Sequence, residues 1–303
     1  MTWPIRLFYA VLWLAGLLPL RILHVLGSAL GDVAWWLHRG ERRITEINLG
    51  LISTTPEGRA LGLLDARQVL RESGKSAVEV ARIWSGRPEA ALRLVREVHG
   101  SELFEQALAS GKGVIIAAPH LGCWELLSYW LAERTPLAIV YRPPRNPDME
   151  SLLIKARGAS KVEQVRAEGA GVRSLYRRLA AGGVVGILPD QQPKQGEGEF
   201  APFFGIDALT MVLVPRLAER TGAAVLFAFA ERLPRGKGFR VRLQSASREI
   251  ADTDLRIACR AMNRSVEECV RIAPLQYQWH YKRYSIRPTS ASRNPYKKTP
   301  AKS

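Results

Sequence analysis

Cysteine is scarce in this 303-residue chain, and Cys123, Cys259 and Cys269 follow neither a disulfide nor a zinc spacing. That excludes a disulfide-stapled scaffold and fits a reducing compartment. Histidine is sparse too. None of His24, His38, His99 and His280 forms a ligand pattern with His120, so no metal site is expected. No repeat period or central low-complexity stretch appears, which excludes solenoids and leaves a globular domain. Acidic residues are the other shortage: 28 Asp and Glu against 44 Lys and Arg give a formal net charge of +16. Partners should therefore be anionic, such as nucleic acid, a phospholipid surface or an acidic carrier protein. No nucleic-acid module accompanies the charge, so nucleic acid is not expected.

What is plentiful is apolar sequence, at 47% of residues, enough for one large α/β domain. Leu7 to Leu20 carries no charge, and beyond Arg21 the chain stays mostly apolar to Leu37. The uncharged run would rise only about 21 Å as a helix, so spanning a bilayer requires extension past Arg21. A tilted or interfacial helix is the other form of such a membrane element. Trp35 and Trp36 suit the headgroup level, and Arg39, Arg42 and Arg43 against a lone Arg6 place the body of the protein in the cytoplasm. A cleaved signal peptide, with Val25 and Gly27 as the cleavage pair, is the alternative, but the apolar stretch continues too far for one.

Arg42–Leu51 and Leu63–Trp84 have helical periodicity. From Gly113 onward, apolar strands at Val114–Ala118, Leu137–Tyr141, Val184–Leu188 and Ala224–Phe229 alternate with helical stretches. The pattern predicts a single α/β catalytic domain: a mixed, largely parallel sheet covered by helices and preceded by an N-terminal membrane helix. Residues 190–207 read as a loop rich in glycine, proline and polar residues, carrying Phe200, Phe203 and Phe204 toward a site.

The chemistry concentrates in Ala117-Ala118-Pro119-His120-Leu121-Gly122-Cys123-Trp124-Glu125. Residues five apart on an ideal helix differ by roughly 140° and share no face. His120 instead sits at a strand-to-helix corner, where Gly122 lets imidazole and carboxylate converge. His120 can then deprotonate an alcohol while Glu125 holds its tautomer and stabilises the imidazolium. The alternative is a histidine that merely satisfies a buried helix start. Cys123 reads as a small buried side chain rather than a nucleophile. Asp190 can be a helix cap, a loop carboxylate or a group supporting the site. Arg142, at the end of a strand, can bind phosphate or a developing oxyanion.

These blocks resemble the glycerolipid and lipid A acyltransferases. His120 and Glu125, Tyr141-Arg142-Pro143 with Asn146, Leu188-Pro189-Asp190-Gln191, Pro202-Phe203-Phe204-Gly205, and Gln276-Tyr277 with Trp279, Arg283, Arg287 and Pro288 are similar, in order, to the late acyltransferases of lipid A biosynthesis. Departures are Leu275 and Tyr281, where many members carry Glu and His, and Leu121 between His120 and Gly122. The resemblance implies transfer of an acyl chain from acyl carrier protein to a hydroxyl of a lipid A precursor at the bacterial inner membrane, with no cofactor or metal. It also implies binding or oxyanion roles for Arg142 and Arg157 and a place at the site for Asn146. A lysophospholipid or glycolipid acceptor, and a non-catalytic basic membrane or nucleic-acid binding protein, are the rival readings. The expected division is a membrane anchor over 1–40, an acyltransferase domain over 41–290 and a basic, disordered tail over 291–303.

Overall fold

The structure is a computed structural model that describes residues 3–85, 88–141, 143, 150, 162–289 and 293–297. Four short apolar strands have no exposed face to spare and gather at its centre: β2 (Val114–Ala117), β3 (Leu137–Tyr141), β5 (Val184–Ile187) and β8 (Ala224–Arg232). With β1 (Val95–His99), β4 (Val162–Arg166) and β9 (Phe239–Ser245) they form one sheet in the order β1-β9-β8-β2-β5-β3-β4. Only β9 against β8 is antiparallel. Every residue of β2 and β5 is buried, as parallel strands covered on both faces must be.

On one face, α7 (Ser101–Ala109) and α8 (Trp124–Arg134) cover Val114, Ile116, Leu137 and Val184. On the other, α9 (Ala170–Ala180), α10 (Leu213–Thr221) and α11 (Leu255–Ile272) cover Ile115, Val185, Ile187 and Phe227. The chain leaves β2 toward α8 and enters β5 from α9, so adjacent strands β2 and β5 connect to helices on opposite faces. A crevice at their carboxyl ends is lined by Ala118 and His120 after β2 and by Leu188 and Gln191 after β5.

The expected N-terminal membrane-spanning helix is corrected. Among the described residues, no helix is long and apolar enough to cross a membrane. Pro19 breaks the apolar run into α1 (Trp3–Gly16) and α2 (Leu20–Leu37). The inner face of α2 carries Leu20, Leu23, His24, Gly27 and Gly31, and it packs on α5 (Ala66–Ser85). Backbone touches backbone there: a Cβ on Gly31 would stand 2.4 Å from the Arg71 Cα. The seam also holds a buried charge cluster. His24 Nε2 and Glu79 Oε1 lie 2.7 Å apart, and the Arg232 guanidinium from β8 reaches both Glu79 and Glu72. Thus α2 is built into the body on one side, while Val25, Leu26, Leu30, Val33 and Trp36 remain exposed on the other.

The stretch read as a loop over 190–207 contains a strand. It is β6 (Gly198–Phe203), paired antiparallel with β7 (Ile206–Met211), and it packs on α11. Phe203 and Phe204 are fully buried with Trp279 and Tyr284 rather than lining the site. Arg283 is buried as well, donating to the Leu209 carbonyl and the Thr210 hydroxyl. Tyr296 donates its phenolic proton to Asn48 Oδ1 at 2.5 Å.

The turn residue Phe204 has φ of 48°, and its N–H donates to Glu267 Oε1 at 2.6 Å. Burial pushes the Glu267 carboxyl up to about 7. A carboxyl raised in the fold contributes stability that is complete below its ordinary value near 4.5 and is lost as pH rises through about 7. Glu267→Gln keeps an acceptor for the Phe204 N–H and removes the titration. Chemical denaturation should show the variant more stable at pH 8, by up to about 3 kcal/mol, with the gain vanishing near pH 4. Equal stability of the two proteins at pH 8 would contradict this.

Candidate active site

After β2, the Ala118 N–H still donates to the Ile187 carbonyl at 2.8 Å, and Pro119 then turns the chain out of the sheet. The corner that follows is pinned on two sides. Gln278 N–H donates to the His120 carbonyl at 3.1 Å, Gly122 N–H to the Gln276 carbonyl at 3.2 Å, and Cys123 N–H to the Ala230 carbonyl at 2.9 Å. Gly122 has φ of 63°, and a Cβ there would lie 2.1 Å from the Ala230 oxygen, so only glycine fits. His120 is thereby held at the crevice, with its ring edge-on to Trp124 at 5.3 Å.

The carboxylate on the imidazole is Asp190, from the loop that leaves adjacent strand β5. Its Oδ2 accepts from the His120 backbone N–H at 3.0 Å, and its Oδ1 lies 2.8 Å from Nδ1. Burial pushes the Asp190 carboxyl up, but the His120 charge and these hydrogen bonds outweigh it and hold the group below its ordinary value. With Asp190 ionised, the hydrogen-bond pattern assigns the ring proton to Nδ1 and leaves a lone pair on Nε2. Gln191 Nε2 lies 3.1 Å from that nitrogen and 3.3 Å from Gln278 Oε1, donating to both. The arrangement is a base with its proton acceptor facing the cavity and its other nitrogen fixed by a buried acid.

Glu125 lies in the first turn of α8, buried, and accepts from the Trp84 indole N–H at 3.2 Å. His120 and Glu125 line the same cavity of ≈ 770 Å³. Its walls are of two kinds: apolar side chains between α8 and the sheet, and Tyr176, Arg216 and Arg220 on α9 and α10. Cys123 is buried, and desolvation with the nearby Glu79 charge pushes its thiol well above its ordinary value. It is a packed side chain, not a thiolate.

Of the residues expected at the site, His120, Glu125 and Asp190 are described and come together at one crevice. Arg142, Asn146 and Arg157 lie outside the described residues. Sequence reasoning quotes Gln191 only within the Leu188-Pro189-Asp190-Gln191 block, with no role of its own, and passes over Gln278 and Trp84. The signal for Gln191 was its position beside Asp190 at a strand's carboxyl end.

A family profile described as bacterial lipid A biosynthesis acyltransferase matches residues 1–285. The chain is 27% identical over 290 residues to the lipid A biosynthesis lauroyltransferase of Escherichia coli (strain K12), covering 94% of this chain and 92% of that one. It is 27% identical over 283 residues to the lipid A biosynthesis palmitoleoyltransferase of the same organism, covering 93% and 91%. A phosphatidylinositol mannoside acyltransferase of Mycobacterium tuberculosis (strain ATCC 25618 / H37Rv) is 28% identical over 196 residues, covering 62% and 61%. With the profile spanning the sheet, the His120 corner and the Asp190 loop alike, the chain belongs to the bacterial lipid A biosynthesis acyltransferase family.

Proposed function

We propose that the protein moves a fatty acyl chain from an acyl carrier protein thioester to a hydroxyl of a lipid A precursor, with His120 as general base. The observation that carries this reading is the Asp190-held imidazole at a large, partly apolar cavity, its unprotonated Nε2 accepting from Gln191, a bond the acceptor hydroxyl would replace. His120 Nε2 takes the hydroxyl proton, and the oxygen attacks the thioester carbonyl to give a tetrahedral oxyanion. The C–S bond then breaks, and the imidazolium returns its proton to the departing sulfur. The products are an ester and the free thiol of the carrier. Asp190 fixes the tautomer and stabilises the imidazolium, and Glu125 adds a second carboxylate to the same cavity. Arg142 and Arg157 are proposed for phosphate or oxyanion binding and Asn146 for substrate binding, on the family's pattern. The formal charge of +16, with Arg216 and Arg220 beside the cavity, supports an acidic donor protein and a phosphorylated acceptor.

The protein is proposed to sit on the inner membrane from the cytoplasmic side, and the outer faces of α1 and α2 support attachment to a membrane surface. Trp3, Leu7, Val11, Leu14, Leu17, Val25, Leu30 and Trp36 are all exposed along them. So large an apolar patch marks an interaction surface, and a helix of this kind can lie in the bilayer interface without crossing it. Replacing Leu14, Val25 and Trp36 together by glutamate should move the protein from floating with anionic phospholipid vesicles to remaining in the soluble fraction. Undiminished flotation of the folded variant would remove these faces from membrane attachment.

The reaction is tested by incubating the protein with acyl-loaded carrier protein and lipid A precursor and weighing the products by mass spectrometry. The acceptor should gain the mass of one acyl chain. Transfer only to a mannosylated or lyso-phospholipid acceptor would replace the acceptor proposed here, and no transfer to any acceptor would reject the reading.

A further inference from the structure

We propose that Gly186 sets the length of acyl chain the enzyme accepts, an inference that rests on the acyl-transfer reading above. Gly186 is the third residue of β5, and in the parallel register it stands directly between Ile116 of β2 and Ile139 of β3. In such a row all three side chains point to the same face, here the face covered by α8. Two isoleucines therefore flank a position with no side chain, and the sheet has a notch. The notch belongs to the cavity that begins at His120: Gly186, Ile116 and Ile139 all line it, as do Leu127 and Leu131 from α8.

The space over the notch is open on the side of α8. The three atoms nearest a Cβ built on Gly186 are Ile139 Cγ2 at 3.2 Å, Leu137 Cδ1 at 3.8 Å and the Ala138 oxygen at 3.9 Å. All belong to the neighbouring strand β3, so α8 does not pack down onto Gly186. One row deeper, Val114 and Val184 pair in register, are fully buried and do not line the cavity, whereas Leu137, the β3 member of that row, does. Beneath β2 and β5 the floor of the apolar wall thus lies between the Gly186 row and the Val184 row, and on the β3 side it is Leu137. Two residues of strand, about 7 Å, separate those rows. A straight, flexible apolar ligand entering from His120 would run over Gly186 and end against this floor. A fatty acyl chain has that shape and chemistry, and its terminal methylenes would occupy the volume that a side chain at 186 would fill.

The test pairs substitutions that should act in opposite directions. Gly186→Ala and Gly186→Val fill the notch, whereas Ile139→Ala widens it beside the same row. Binding is read by displacement of a fluorescent fatty acid with a graded series of saturated fatty acids. Transfer is read by competition among carrier proteins loaded with the same series. Filling the notch should shift both profiles to shorter chains, with discrimination against the longest accepted chain rising about 10- to 200-fold per methylene excluded. Ile139→Ala should shift them to longer chains. If Gly186→Val does not fold, the milder Gly186→Ala and the opposed Ile139→Ala decide the matter. Unchanged binding profiles in folded variants, or a uniform loss of affinity at every length, would overturn the assignment. Shifted binding profiles with no transfer by the unaltered protein would leave the chain site standing and reject the reaction instead.

Discussion

Replacement of His120 by alanine is expected to cut acyl transfer at least about 10²- to 10⁴-fold, the span that a positioned general base contributes. The other groups named at the crevice are poorly placed to take over, Glu125 among them, a buried carboxylate that accepts from the Trp84 indole. Gln191 and Gln278 have no basic nitrogen, the Cys123 thiol is buried and held protonated, and Asp190 is almost fully covered. The fold should survive, because the corner is pinned by the backbone bonds at His120, Gly122 and Cys123 and not by the ring. A cost does arise at Asp190, which would lose the ring donor and keep the His120 backbone N–H. Circular dichroism and a denaturation curve should accompany the rate. Near-normal turnover in the folded variant would remove His120 from the chemistry.

Asp190→Asn is expected to be almost as damaging, with a loss of about 10²- to 10⁴-fold; the same change in a serine-protease triad costs about 10⁴. The reason lies in counting acceptors. Asp190 turns one oxygen to the backbone N–H of His120 and the other to its Nδ1–H. An asparagine has one oxygen and one NH₂, so it either confronts an N–H with another donor or forces the ring into the tautomer that carries its proton on Nε2. In that tautomer Nε2 cannot accept the hydroxyl proton. Glu125→Gln should cost less, because the ring-nitrogen bond recorded for Asp190 stays in place. A Glu125→Gln variant that is slower than Asp190→Asn in the transfer assay would reverse the assignment of the two carboxylates.

Much of this site was legible in the chain. His120 follows a buried apolar strand and precedes a helix, and both the corner and its need for Gly122 can be read from ten residues. The partnership with Asp190 could not be. Those residues are 70 positions apart, and they meet because β5 is inserted between β2 and β3. Strand order is fixed by the packing of helices on both faces, which no local pattern reports. Sequence proximity instead pointed to Glu125, which the structure sets against Trp84.

The central strands were legible for the same reason they are central: β2, β3, β5 and β8 are apolar runs bounded by glycine or polar residues. The outer ones were less so. Phe239, Val241 and Leu243 of β9 alternate with polar residues, a half-buried pattern easily taken for a connection. The N-terminal run misled through composition. Hydropathy sums over residues, whereas Pro19 divides the run and Gly27, Gly31 and Gly74 commit one face of α2 to close contact with α5. Likewise Phe203 and Phe204 announce burial by their size, and they are buried in the core under the hairpin rather than at the site.

One measurement bears most directly on the claim that His120 and Asp190 work as a unit in acyl transfer. Transfer from acyl carrier protein to lipid A precursor should be followed by mass spectrometry for the unaltered protein, His120→Ala, Asp190→Asn and the double variant. Groups that act as one machine lose their function once, so the double variant should be no slower than His120→Ala alone. It should also be the more stable of the two, since the buried carboxylate left by His120→Ala is gone. Losses that multiply in the double variant, or an unaltered protein that adds no acyl chain, would contradict the account.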